Sequence, residues 1–150
     1  MRAIAGILAA IAAAALGAEP KDAWGVKGQV PLKLEALFDN DAIADAQRRS
    51  DGNFDCPDHA ADIPGSVFPA ENLPATGSKF SFDGVHFLFP SKERGDFNNV
   101  SCNGQRLEVP PGRYTALHLV GASENGSFRD VLSLAYKEGP AEAELALRDW

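Results

Sequence analysis

An all-β sandwich or jelly roll is the fold class this sequence predicts, and three observations predict it. Short apolar stretches with a period of two recur along the chain. Gly, Pro, Asn and Asp clusters separate them at fairly regular spacing. Prolines at 57, 64, 69 and 74 break the one long polar stretch where a helix could otherwise extend. Seven or so short strands with turns between them are best accommodated by two packed sheets.

Taken in order, the first eighteen residues read as a leader rather than as part of the fold. Met1-Arg2 gives a short positive start, and Ile4 to Leu16 is an uncharged Ala/Ile/Leu run. Leu16-Gly17-Ala18 supplies small residues before Glu19-Pro20. That is the layout of a cleavable secretory signal helix, and the run is too short to span a bilayer. Residues 19–29 are polar, with two glycines and a proline, and read as a linker. The β-sandwich domain then occupies 30–150.

Val30, Leu32, Leu34 and Ala36 alternate with polar or small residues, which predicts a half-buried strand closed by Phe38. Residues 39–79 form a long Asp/Asn/Pro/Gly/Ser-rich stretch in which Asp41 to Arg49 could make one or two helical turns. Loops of that length are usually functional or pinned. Phe80-Ser-Phe82 and Val85-His-Phe87-Leu-Phe89 flank Asp83-Gly84, the pattern of a two-residue type I′ hairpin. Further strands are expected at Gln105 to Val109, at Arg113 to Val120 (apolar on both sides, hence placed inside a sheet), at Val131 to Tyr136 and at Glu142 to Leu147. The last strand runs into Arg148-Asp149-Trp150, which reads either as a packed C-terminal anchor or as a break within a longer protein.

Charge excludes some partners. The net charge is −7, and one unit more negative once Arg2 leaves with the leader. Nucleic acid requires clustered Lys and Arg, and the longest basic run is Arg48-Arg49. Neither nucleic acid nor a membrane is an expected partner. Export, outside the cell or into the periplasm, makes a disulfide between the only two cysteines, Cys56 and Cys102, the expected pairing. It would stabilise the fold by roughly 3–4 kcal/mol in the chain-entropy picture.

The ordered series Phe38-Asp-Asn-Asp41, Asn53-Phe-Asp55, Phe68-Pro-Ala-Glu71 with Leu73-Pro74, Gly84 to Pro90, Asn98-Asn-Val100, Tyr114 to Leu119, Gly121 to Gly126 and Asp149-Trp150 resembles secreted bacterial galactose-binding-like β-sandwich modules, of the kind appended to glycoside hydrolases. The resemblance implies an eight- or nine-stranded jelly roll with an accessory, carbohydrate-associated role. In that pattern further strands follow the Asp-Trp element, so the sandwich would be incomplete at its C-terminus.

Candidate sites follow from residue chemistry. Asp39, Asp41 and Asp55 could supply oxygens to a structural calcium, as such sandwiches often carry. The bland alternative makes them turn and cap residues. Tyr114, His118, Asn125 and Arg129 are the polar groups expected near one end of the sandwich for a sugar. His59, His86 and His118 show no zinc spacing, and Ser123 lies outside any nucleophile elbow. Catalytic residues are therefore not assigned. The expectation is a non-catalytic module that binds carbohydrate, or a structural domain without its own ligand. An incomplete sheet would leave an edge open to a protein partner.

Overall fold

The computed structural model describes residues 5–7, 11–15, 28–48, 51–52, 67–123 and 126–149. Within them the regular elements are strands and short 3-10 turns, joined by irregular loops. The strands are β1 (Ala5–Ile7), β2 (Ile11–Ala15), β3 (Gln29–Leu32), β4 (Ile43–Ala44), β5 (Phe68–Pro69), β6 (Lys79–Phe82), β7 (Val85–Leu88), β8 (Val100–Ser101), β9 (Tyr114–His118), β10 (Ala122–Ser123), β11 (Phe128–Tyr136) and β12 (Gly139–Leu147). They form two three-stranded sheets, ordered β10-β1-β8 and β3-β2-β9, and three two-stranded pairs, β4-β5, β6-β7 and β11-β12. All pairings are antiparallel except β4 with β5.

The β6-β7 hairpin forms where Asp83-Gly84 places it. Both turn residues have positive φ, 50° at Asp83 and 75° at Gly84, as a type I′ turn requires. The register pairs Phe80 with Phe87 and Phe82 with Val85, so these side chains share one face of the ribbon. The Phe80 and Phe87 rings stack at 5.4 Å, and Phe89 meets Phe80 edge-on at 5.9 Å. Buried Phe87 is packed by Phe38, Val85 and Val120, while Phe89 joins Ile43 and Ala70. A third cluster is built on Leu32 and Leu34 with Leu117 and Leu119. Gln29 ties β3 to the hairpin: its Nε2 donates to the Gly84 carbonyl and its Oε1 accepts from the His86 N–H, each at 2.9 Å.

Several expected elements are corrected. The alternation from Val30 does not continue to Ala36. Leu34 turns into the right-handed region, the Leu37 N–H bonds its carbonyl at 2.7 Å, and Glu35–Leu37 is a 3-10 turn. Leu32 and Leu34 nevertheless both reach the core. In place of helical turns after Asp41, β4 pairs with β5, and the Arg48 N–H bonds the Asp45 carbonyl in a tight turn. Residues 105–109 make no strand, because the Gln105 side chain is committed to local polar bonds described below. β9 is an outer strand of its sheet, half exposed, and not an interior one.

The segment expected to be a signal helix is described only at β1 and β2. There it is extended, and each strand sits in the middle of a three-stranded sheet. No helix among the described residues is long and apolar enough to cross a membrane.

Candidate functional site

Three features concentrate polar or apolar side chains, and they differ in what their groups are free to do.

The first is a buried polar clasp between two segments the sequence singled out separately. Asn40 bridges Asn99. The Asn98 and Asn99 N–H groups donate to the Asn40 carbonyl at 2.9 and 3.3 Å, and those of Asp39 and Asn40 donate to the Asn99 carbonyl at 3.1 and 3.2 Å. Side chains repeat the pattern. Asn98 Oδ1 accepts from the Ala42 N–H at 2.9 Å, Asn98 Nδ2 donates to Asp41 Oδ1 at 2.6 Å, and Asn40 Nδ2 donates to Asn99 Oδ1 at 3.1 Å. All four polar residues are buried. Asn suits this because one amide offers a donor and an acceptor to backbone groups that would otherwise be orphaned. Asp39 works at the rim. Its Oδ1 takes the Ser101 N–H at 2.7 Å and its Oδ2 takes Gln105 Nε2 at 2.9 Å, which also bonds the Ser101 carbonyl.

Asp39 and Asp41 therefore face different partners in the clasp, and Asp55 lies outside the described residues. No group of three His, Cys, Asp or Glu among the described residues could hold a metal ion. Burial is the leading cause that raises the Asp41 carboxyl above its ordinary value. The bonds from Asn98 and the Ile43 N–H oppose that rise, and the Asp96 and Asp51 charges add to it.

The second feature is a cleft of about 260 Å³ bordered by Asp41, Asp45, Arg48, Asp51, Lys92 and Arg94. Its charges are already engaged. Asp51 takes Arg94 at 3.0 Å, Arg48 pairs with Asp45, and Lys92 Nζ donates to the Ala70 and Leu73 carbonyls at 2.7 and 3.0 Å. A ligand there would have to displace these partners. Next to Asp51 the chain passes so close to its neighbours that a Cβ on Gly52 would stand 2.6 Å from Val67 Cγ1.

The third feature is the β11-β12 hairpin. Its register pairs Phe128 with Leu147, Asp130 with Leu145, Leu132 with Ala143 and Leu134 with Ala141. Cross-strand partners share a face, so Phe128, Leu132, Leu134, Tyr136, Leu145 and Leu147 fall on one side, with Asp130 as the lone charge. Arg129, Ser133, Glu142 and Glu144 fall on the other, where Arg129 and Glu144 form an ion pair. On the apolar side Leu147 is buried, Phe128, Leu132, Leu134 and Leu145 are half-buried, and Tyr136 is 58% exposed. Among the described residues neither strand pairs with a third, and none of the buried apolar clusters includes their side chains.

Of the four residues expected to meet a sugar, Tyr114, His118 and Arg129 are among the described residues. Tyr114 sits on β9 and its hydroxyl donates to the Pro110 carbonyl at 2.7 Å. His118 is half-buried at the other end of that strand. Arg129 is held by Glu144 on the separate hairpin, and Asn125 lies outside the described residues. Of the expected Cys56–Cys102 disulfide, Cys56 lies outside the described residues, and Cys102 is exposed and unbridged among them. Local burial, then the Asp130 and Asp39 charges, push the Cys102 thiol up, which suppresses the reactive thiolate. The hairpin face was missed in the sequence because Val131 to Tyr136 and Glu142 to Leu147 read there as two further strands with no face assigned to either. The signal that could have found it is the alternation of Ala and Leu against Glu from 141 to 145.

The chain belongs to the AziU2-like β-sandwich domain family, whose profile matches residues 27–150. A β-sandwich is thereby the fold of this chain, in agreement with a structure whose regular elements among the described residues are strands and short 3-10 turns. Searches of curated proteins and of solved structures return no match.

Proposed function

We propose that this chain is an exported, non-catalytic β-sandwich module that works by binding, with the apolar face of the β11-β12 hairpin as its contact surface. The observation that carries this reading is the sorting of the hairpin into one apolar and one charged side, while Phe128, Leu132, Leu134 and Leu145 of the apolar side are only half-buried and Tyr136 is exposed. A two-stranded ribbon alone is marginal in water, and an exposed apolar face of this kind marks an interaction site. Charge points to the occupant. Asp130 stands within the apolar face, Glu138 lies in the turn beyond it, and the whole chain is acidic. The complementary partner is a protein segment with an apolar stripe flanked by Lys or Arg. The leader sequence supports export. The carbohydrate-associated role implied by the galactose-binding-like resemblance is the competing reading, favoured by Phe82, which is 75% exposed at the tip of the other hairpin.

An amphipathic Leu/Lys peptide and its Leu/Glu counterpart test the proposal by titration. Saturable binding of the first, at least tenfold weaker binding of the second, and loss of both in Leu134→Asp are the expected results. Equal binding of the two peptides, or binding unchanged in Leu134→Asp, would overturn it. A glycan array on the same protein reads the competing role. Reproducible binding to one sugar class that survives Leu134→Asp would move the function to carbohydrate.

A further inference from the structure

Each of the two leader strands is the middle strand of a three-stranded sheet among the described residues. β2 pairs antiparallel with β3 on one side, Ala13 opposite Val30 and Ile11 opposite Leu32, and antiparallel with β9 on the other, Ala13 opposite Leu117. Neither β3 nor β9 pairs with any other described strand, and β8 has only β1 as its strand partner. Yet the family unit begins at residue 27, beyond both leader strands, and the leader itself has the layout of a segment removed on export. The walls of the vacated position are held apart from its own pairing: Leu32 and Leu34 of one side pack with Leu117 and Leu119 of the other through a shared buried cluster. Loss of β2 would leave facing rows of unpaired N–H and C=O groups on walls fixed by side-chain packing, and such groups require partners.

We propose that the position of β2 is an acceptor slot: in the processed protein it takes an extended segment of a partner protein, antiparallel to both β3 and β9. The occupant is an uncharged apolar segment, on the pattern of Ile11-Ala12-Ala13-Ala14-Ala15, whose backbone pairs there. Strand addition of this kind draws affinity from main-chain bonds and specificity from alternate side chains. The inference rests on export with removal of the leader, and it is independent of the hairpin surface.

The test uses the protein recovered after export. Intact mass first establishes that residues 5–15 are gone; a retained leader keeps the slot filled and overturns the proposal. A synthetic peptide of residues 4–16 with a C-terminal lysine tail is then titrated in. Expected are saturable binding, a higher Tm, and new amide protection at Val30, Leu32, Ala116 and His118. The same peptide with Ala13→Pro, which removes one N–H and distorts the strand, is expected to bind at least tenfold more weakly. The proposal is overturned by equal binding of the two peptides, by no binding, or by β3 and β9 amides that are already protected without peptide. The probe differs from the one that reads the hairpin, so failure here leaves that reading standing, and the converse holds.

Discussion

Asn98 shows how much structure one side chain can organise. Its amide closes the Ala42 N–H and the Asp41 carboxylate at once, and each orphaned buried group would cost about 1–3 kcal/mol. Asp41 accepts this donor from inside the clasp, where burial disfavours its charge. With its folded pKa above the ordinary value, folding favours the protonated acid. That stabilising contribution is fully present below the unfolded pKa and is lost as pH rises through the folded one. Asp41→Asn retains an oxygen to accept from Asn98 and Ile43 but has no charge to desolvate. The Tm of the variant minus that of the wild type is therefore expected to increase from about pH 4 to pH 7. Thermal melts across that range check it, and a flat or falling difference would contradict the burial argument. The sequence made both halves of the clasp visible, as Phe38-Asp-Asn-Asp41 and Asn98-Asn-Val100, but as turn signatures or calcium oxygens. Their pairing is a tertiary choice: an Asn written into a loop does not specify which distant backbone its amide will satisfy.

Elements were legible where local chemistry decides them. The Asp83-Gly84 hairpin was readable because positive φ at two successive positions is demanded by the turn and supplied by these two residues. Gly84→Ala would put a Cβ on a backbone at φ 75° with open space around it, so the penalty is conformational. It is expected to lower stability by about 1 kcal/mol in denaturant unfolding with the slope unchanged. A loss near zero would mean that the turn had shifted type. Where side chains compete for the backbone, reading by period failed. Residues 105–109 look like a strand, but the Gln105 amide is spent on Asp39, Ser101 and the Asn103 N–H, and the segment is exposed apart from Leu107, which packs on the Leu32 and Leu34 cluster. The strand expected through Ala36 stops at Leu32 because a 3-10 turn also delivers Leu34 and Leu37 to the same cluster. Apolar spacing cannot distinguish those two routes to one core.

At the scale of the whole molecule, stability is expected to be unevenly distributed. The buried apolar clusters gather Leu32, Leu34, Ile43, Ala70, Phe87 and Phe89, and the clasp locks the loops between them. The β11-β12 ribbon shares none of these clusters. Its base is tied to β10 through Ser123, whose N–H donates to the Arg148 carbonyl at 3.0 Å and whose hydroxyl donates to the Leu147 carbonyl at 3.2 Å. Fully buried Ser123 thus fixes the root of a ribbon whose outer two-thirds is held by its own ladder. Opening free energies follow buried apolar contact, so the ladder amides between Leu132 and Ala143 are expected to exchange by local opening, several kcal/mol below the global value. Amides of the clasp and of the β6-β7 hairpin are expected to exchange only by global unfolding. Native-state hydrogen exchange at rising denaturant separates the two classes. Their merging into one isotherm would show that the ribbon is packed on the body, and would remove the free apolar face on which the proposed binding depends. A ribbon that opens early when free and becomes protected on titration with the Leu/Lys peptide is the pattern a docking element has to show.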